Sequence, residues 1–381
     1  MRGKPLVLLA ILGVLGLVAA ACSSGGGGES KVQGTQSPAT TAAPATAPPT
    51  TQPEPENVYR HTQANQLASS VQDIPARVYV PNGMSNTIDV IDPNTMAIVD
   101  SYPVKQLPQH VVPSWDMQTL YVNNNQGNTL TPIDPRTGKP GPDIPIDDPY
   151  NLYFSPDGTK AIVMAERNSE VDFYDPKTWT RIKSLHIPHP GVNHAEFTAD
   201  GKTMVASTEF SGFLVRIDLE TMEITGELSV GGKPVDVKLS PDGTLMFNAN
   251  ETKDGVTVVD WANMREVQFI PTAKGAHGLY PSRDGTQLYV TNRGAGSVTV
   301  IDFATRNVLG NWQFGGSPDM GGVSTDGKQL WLSGRYNSEV YVIDTTTGQL
   351  IKRIPVGEGP HGLALFPQPG RYSMGHTGNY R

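Results

Sequence analysis

The chain is short of cysteine, of charge and of long apolar runs. Its 381 residues hold one cysteine, Cys22, so an internal disulfide framework is excluded. Charged residues make up only 17%, less than an amphipathic helical protein of this size carries. The formal net charge is -8, and no run of basic residues follows the N-terminus. Both facts argue against a nucleic-acid partner, whose surface needs clustered Lys and Arg. The longest apolar run, residues 6–18, is too short for a comfortable transmembrane helix. HExxH, CxxC, GxSxG and phosphate-loop patterns are all missing, which removes the motif-bearing metalloproteases, thiol oxidoreductases, serine hydrolases and P-loop enzymes.

Glycine (40) and proline (32) are plentiful instead. That composition suits many short strands joined by tight turns, and the length fits one large all-β domain. The first residues read as a targeting segment. Arg2 and Lys4 precede the apolar run, and Ala19, Ala20 and Ala21 lead into Cys22. This resembles a lipobox, so residues 1–22 are expected to be a lipoprotein signal peptide ending at lipidated Cys22. Residues 23–57, rich in Gly, Ser, Thr, Pro and Ala, have too few large apolar side chains to fold and are expected to be a disordered tether. Residues 58–76 form an N-terminal extension of unassigned role. The expected location is extracytoplasmic, on the outer face of the cell membrane through the lipid on Cys22, with the protein acting as a monomer.

From residue 77 the chain repeats itself. VYVPNGMSNTIDVID begins at Val78, and similar segments begin at Leu120, Ala161, Met204, Met246, Leu288 and Leu330, in steps of 41–43 residues. A partial eighth copy is expected to start at Tyr372. Around Val235 one repeat resolves into VDVKLS, the turn SPDG, then MFNAN, VTVVD and EVQFIP. Four short strands in about 42 residues is the period of a propeller blade. Seven copies predict a seven-bladed β-propeller of four-stranded antiparallel blades. Because the first repeat begins at its second strand, HGLALFP (residues 361–367) is predicted to supply the missing innermost strand and close the ring.

Tyr289-Val290-Thr291-Asn292 is the literal YVTN tetrad, with variants at residues 79–82 and 121–124. With the SPDG turns and the fourth strand Ile354-Pro355-Val356-Gly357, the chain resembles the YVTN/YncE-like β-propeller family over residues 77–381. The resemblance implies the fold; it implies no single activity, because propellers carry unrelated functions.

Residues present in every blade serve the blade. The Asp ending each third strand (Asp92, Asp134, Asp175, Asp218, Asp260, Asp302, Asp344) is expected to bind backbone N–H groups of the following turn. Asp157, Asp200, Asp242, Asp284 and Asp326 should do the same in the A–B turns, strands being lettered A to D from the axis outward. Trp331 and Tyr341 should pack between blades.

Function should lie where the repeat is broken. His110, His194, His277 and His361 all stand at the entry to a strand A, with Asn151, Asp236 and Asp319 at this locus in the intervening repeats. Five residues past the start of strand B, the B–C loops carry Glu166, Glu209, Glu251, Arg293 and Arg335, and the last partial copy adds His376. D–A connections and B–C loops share one face of a propeller, so these residues are predicted to form one rim. Imidazoles converging there suit copper, iron or zinc, carboxylates could orient them, and Arg293 and Arg335 could hold an anion. One feature opposes convergence: two of the four histidines are offset by one residue, which in a regular strand reverses the side chain unless a bulge intervenes.

Three functions are compatible with this rim. The first is a tethered module binding a small molecule or an envelope protein through Glu166, Glu209, Glu251, Arg293, Arg335, Asp319 and His376. The second is a copper- or iron-dependent oxidoreductase using His110, His194, His277 and His361. The third is a lactonase-like hydrolase using Glu209, Glu251, Arg293 and His277.

Overall fold

The computed structural model describes residues 57–376 and 379–381. The signal segment, Cys22 and all of the tether except Asn57 lie outside these residues. Seven antiparallel sheets follow one another along the chain. The first contains Arg77–Asn82, Thr87–Asp92 and Ala97–Pro103, and Ala364–Phe366 joins it as the innermost strand. Arg77 pairs with Phe366, Val78 with Leu365 and Tyr79 with Ala364. The tail therefore completes the N-terminal blade, as expected from the repeat that lacked its first strand.

Strands A to C of each blade are almost wholly buried, because they stack between neighbouring blades. Strand D alternates, as in Glu223–Ser229, since one of its faces meets water. Blade 2 departs from the pattern. Its fourth strand is broken into Lys139–Pro140 and Ile144–Pro145, because the prolines at 140, 142 and 145 withhold ladder donors. Trp331 packs in a cluster with Val78, Val80 and Leu365 of blade 1, and Tyr341 with Tyr280 and Tyr289 of blade 6, so both bridge blades.

All seven strand-ending aspartates accept backbone N–H groups two or three residues on, from Asn94 onto Asp92 to Thr346 and Thr347 onto Asp344. In the A–B turns, the Ser or Thr hydroxyl two residues earlier donates to the Asp, as Ser155 does to Asp157. The tetrad asparagines tie strand B to strand C: Asn292 Nδ2 donates to Ser297 and Thr299, and Asn124 Nδ2 to Thr129 and Thr131.

Residues 58–76 lie across the A–B turn face. The Val58 N–H donates to the Pro241 carbonyl, the Tyr59 hydroxyl to Leu239, and the Asn65 N–H to Thr325. Val71 and Ile74 are buried in the core of blades 1 and 2. The extension leaves the opposite face, with its B–C loops, uncovered.

The last residues overturn one expectation. Tyr372 does not start an eighth blade. The tail turns under the ring and lies along strand A of blade 3, with Gly375 bridged to Tyr153. The Phe154 N–H donates to Met374, and the His376 N–H to Leu152. A Cβ on Gly375 would stand 2.4 Å from the Leu152 carbonyl, so only glycine permits this approach. His376 consequently enters the axis from the tail and is not a rim residue.

Candidate metal centre

The strand-A entries are irregular. Register shifts occur between Pro108 and Val111, Val192 and His194, Pro234 and Val237, Ala276 and Leu279, and Pro318 and Gly321. Below each shift, Val111, Ala195 and Leu279 occupy one level, opposite Val122, Ala206 and Val290. His110 and His194 precede that level by one residue and His277 by two. A regular strand would turn His277 away; the bulge re-aims the side chain. The one-residue offset thus becomes two tiers of inward-facing groups.

Five imidazoles meet at the axis, all buried. Ring centroids are 4.8 Å apart for His110 and His361, 5.0 Å for His194 and His376, 5.3 Å for His110 and His376, and 5.6 Å for His110 and His194. His277 stands 6.0 Å from His361 and 6.3 Å from His194. A tetrahedral ion with bonds of about 2.0–2.1 Å to imidazole nitrogens spaces ring centroids roughly 5 Å apart. One nitrogen from each of His110, His194 and His376 lies within 4.8 Å of the other two. Room for the His110 ring is left by Gly362, whose Cβ would come within 2.1 Å of His110 Nδ1.

Partners assign the ring protons. Asn193 Nδ2 donates to Glu166 and Glu209, so its Oδ1 accepts from His194 Nδ1–H at 3.0 Å. That leaves His194 Nε2 with its lone pair, buried and without a partner. Both nitrogens of His110 are likewise unpartnered. His376 Nε2 stands 3.3 Å from Asp236, which places the ring proton there and the lone pair on Nδ1. Metal-ligating histidines characteristically carry such a carboxylate behind the ring. Asn151 Nδ2 lies 3.0 Å from that Nδ1 but also reaches the Tyr153 hydroxyl and the Asn193 carbonyl, so its N–H groups have other acceptors when Nδ1 takes a ligand. His361 Nδ1–H donates to Asp319 at 2.7 Å, and its Nε2 faces the Tyr150 hydroxyl at 3.3 Å. His277 Nδ1 lies 3.0 Å from the other Asp319 oxygen.

The ring-orienting carboxylates are therefore Asp319 and Asp236, and not Glu166, Glu209 and Glu251 as the loop spacing suggested. Those three do reach the mouth. The N–H groups of Glu209, Glu251, Arg293 and Arg335 donate to the D–A carbonyls of Gly191, Lys233, Gly275 and Ser317, which pins each B–C loop to the rim. Arg293 is engaged by Glu251 at 2.6 Å and Asp319 at 3.2 Å. Arg335 Nη1 comes only to 3.9 Å from Asp319 and has no hydrogen-bond partner. The lactonase set is not free: His277 lies against Asp319, and Arg293 against Glu251.

Burial lowers the basicity of all five imidazoles. His194 falls to about 3, with His376 the next cause; His361 is further lowered by Arg335, and His277 by Arg293. The rings are thus neutral lone-pair donors at neutral pH, the state a metal requires. Burial, with Glu209 beside it, pushes Glu166 up to about 8. Asp236 is held below the ordinary carboxylate range despite burial, by Lys238 and His376.

Sequence reasoning missed Tyr150, whose ring packs 5.4 Å from His110 and 5.8 Å from His194. It sits one residue before Asn151, so its tier was the signal. The floor was missed as well. Arg381 donates to Thr198, Phe197 and Glu196, and buried Lys238 donates to Asn379 and lies 4.0 Å from Glu196.

A family model, the YncE-like β-propeller, matches residues 57–369. The chain belongs to the YncE-like β-propeller family. No curated protein matches it. Among solved structures, this YncE-like chain is similar to hydrazine synthase of Kuenenia stuttgartiensis, at 21% identity and TM-score 0.58 over 66% of this chain and 87% of that one. It is also similar to a functionally unknown protein of Desulfotomaculum acetoxidans, at 16% identity and TM-score 0.66 over 76% and 98%. A third is a putative 6-phosphogluconolactonase of Bacteroides fragilis, at 18% identity and TM-score 0.63 over 79% and 99%. At these identities the likeness establishes the fold, and function rests on the site.

Proposed function

We propose that this YncE-like propeller is a metal-binding protein. His110, His194 and His376 hold a first-row transition ion at the axis, beneath a mouth ringed by Glu166, Glu209, Glu251, Arg293 and Arg335. One observation carries the reading: three buried imidazoles have nitrogens within 4.8 Å of one another, and those of His110 and His194 that face the centre are unpartnered. Leaving such polar atoms dry and unpaired costs about 1–3 kcal/mol each, which a bound ion reverses. An all-imidazole set suits copper, iron or zinc more than magnesium or calcium. When bound, copper or iron would supply one-electron chemistry; the chain's own residues fix the ring tautomers, through Asn193 and Asp236, and exclude bulk water. Elemental analysis of the purified protein, and of the His110→Ala/His194→Ala variant, tests this. We expect one ion per chain, lost in the variant; protein that takes up no stoichiometric metal refutes it.

A second reading is a docking module, with the tether and lipidated Cys22 holding the propeller at the outer face of the membrane. It is favoured by three exposed side chains at the same B–C loop position, Met84, Phe210 and Tyr336, 73%, 60% and 71% accessible. Pull-down from membranes with the Phe210→Ser/Tyr336→Ser variant as control tests it. A partner retained equally by both proteins would count against this face.

A further inference from the structure

The charges around the cluster cancel before any ion is bound. On the floor side, Lys238 and Arg381 offset Asp236 and Glu196. On the mouth side, Arg293 and Arg335 offset Asp319 and Glu251, and Lys233 lies 3.6 Å from Glu209. The imidazoles are neutral ligands. A divalent ion held by them would keep its whole charge in a buried, poorly screened place, and an uncompensated buried charge is strongly unfavourable. The site therefore calls for an anion from outside, and the mouth has one underused cation to receive it. Arg335 Nη1 is buried without a hydrogen-bond partner, while Arg293 is already engaged by two carboxylates. Arg335 Nη1 stands 3.9 Å from the same Asp319 oxygen that holds His361 at 2.7 Å, and the His361 ring lies 4.8 Å from that of His110, which puts the guanidinium beside the cluster.

Resting on the metal reading, we propose that the mouth is a subsite for a small two-oxygen monoanion of the carboxylate or nitrite class, which bridges the axial metal and the Arg335 guanidinium. Two oxygens are needed because one faces the ion and the other meets the planar N–H fork. A halide offers the charge without the second contact. Larger dianions would meet Glu209 and Glu251 at the rim.

The test uses full-length protein loaded with copper(II), titrated with formate and separately with chloride, and followed by the copper EPR and visible spectra. We expect a saturable spectral change with formate, at least tenfold weaker binding of chloride, and copper content unchanged in Arg335→Gln. In that variant formate should bind about 10- to 100-fold more weakly, the loss usual for one charge-assisted hydrogen bond, with partial recovery in Arg335→Lys. Formate leaving the copper spectrum unchanged, or binding Arg335→Gln as tightly as the parent, overturns the subsite while the metal reading stands. Metal-driven ionisation of Glu166 would do so too: proton release on loading, abolished in Glu166→Gln, with no anion taken up. Absence of copper from the loaded and desalted protein overturns both.

Discussion

Glu166 ties the mouth to the stability of the ring in a way that can be measured. Its carboxyl titrates near 8 in the fold against 4.5 when free, first because it is buried and next because Glu209 stands beside it. Below about pH 4.5 both states are protonated and the group contributes nothing to the pH dependence. Between 4.5 and 8 the unfolded chain has released this proton and the folded chain keeps it, so stability falls as pH rises. Above 8 both are ionised and the full penalty remains. Each pH unit in the window is worth about 1.4 kcal/mol, so the 3.5-unit span sets a ceiling of about 5 kcal/mol. Water at the mouth reduces this, to about 2–3 kcal/mol by the usual softening of partly solvated groups. In Glu166→Gln the term disappears while the hydrogen bond from Asn193 can be kept by the amide oxygen. Urea unfolding of metal-free protein at half-unit steps from pH 5 to 9 reads it directly. The parent should lose stability across this range relative to the variant. Superimposable pH profiles would mean that Glu166 is ordinarily solvated and the reasoning about the mouth is wrong.

Asp319→Asn should destabilise the protein by about 3–5 kcal/mol, because the carboxylate shared by His277, His361, Arg293 and Arg335 is fully buried; chemical denaturation checks this, and metal stoichiometry at His110, His194 and His376 should survive. Removing residues 372–381 should leave a folded ring, since residues 364–366 still pair with residues 77–79, but should weaken metal binding at least tenfold for want of one imidazole ligand; removing residues 363–381 should abolish cooperative unfolding by circular dichroism, because blade 1 then exposes an open edge. Cys22→Ser should move the protein from the membrane to the soluble fraction and abolish incorporation of labelled fatty acid.

The blade count, the ring closure and the scaffold aspartates were all open to reading from the residues in order. The physical reason is that they are local or periodic. A strand pattern of period two, a turn such as SPDG and a spacing of about 42 residues each state a backbone preference that every repeat confirms, and a first repeat lacking its inner strand leaves only one segment able to fill it. The histidine locus was legible for the same reason: residues at equivalent places in successive blades must share a rim. What tertiary structure alone decided is depth and direction. Bulges at the strand-A entries turn His277 inward and sort the groups into two tiers, and a bulge leaves no mark in a strand of buried residues. Tyr150 lies one position off the locus and so belongs to the upper tier. The tail has no strand period at all; its path beneath the ring is set by the space that Gly375 allows beside Leu152, and that path carries His376 from an expected rim to the centre of the imidazole cluster.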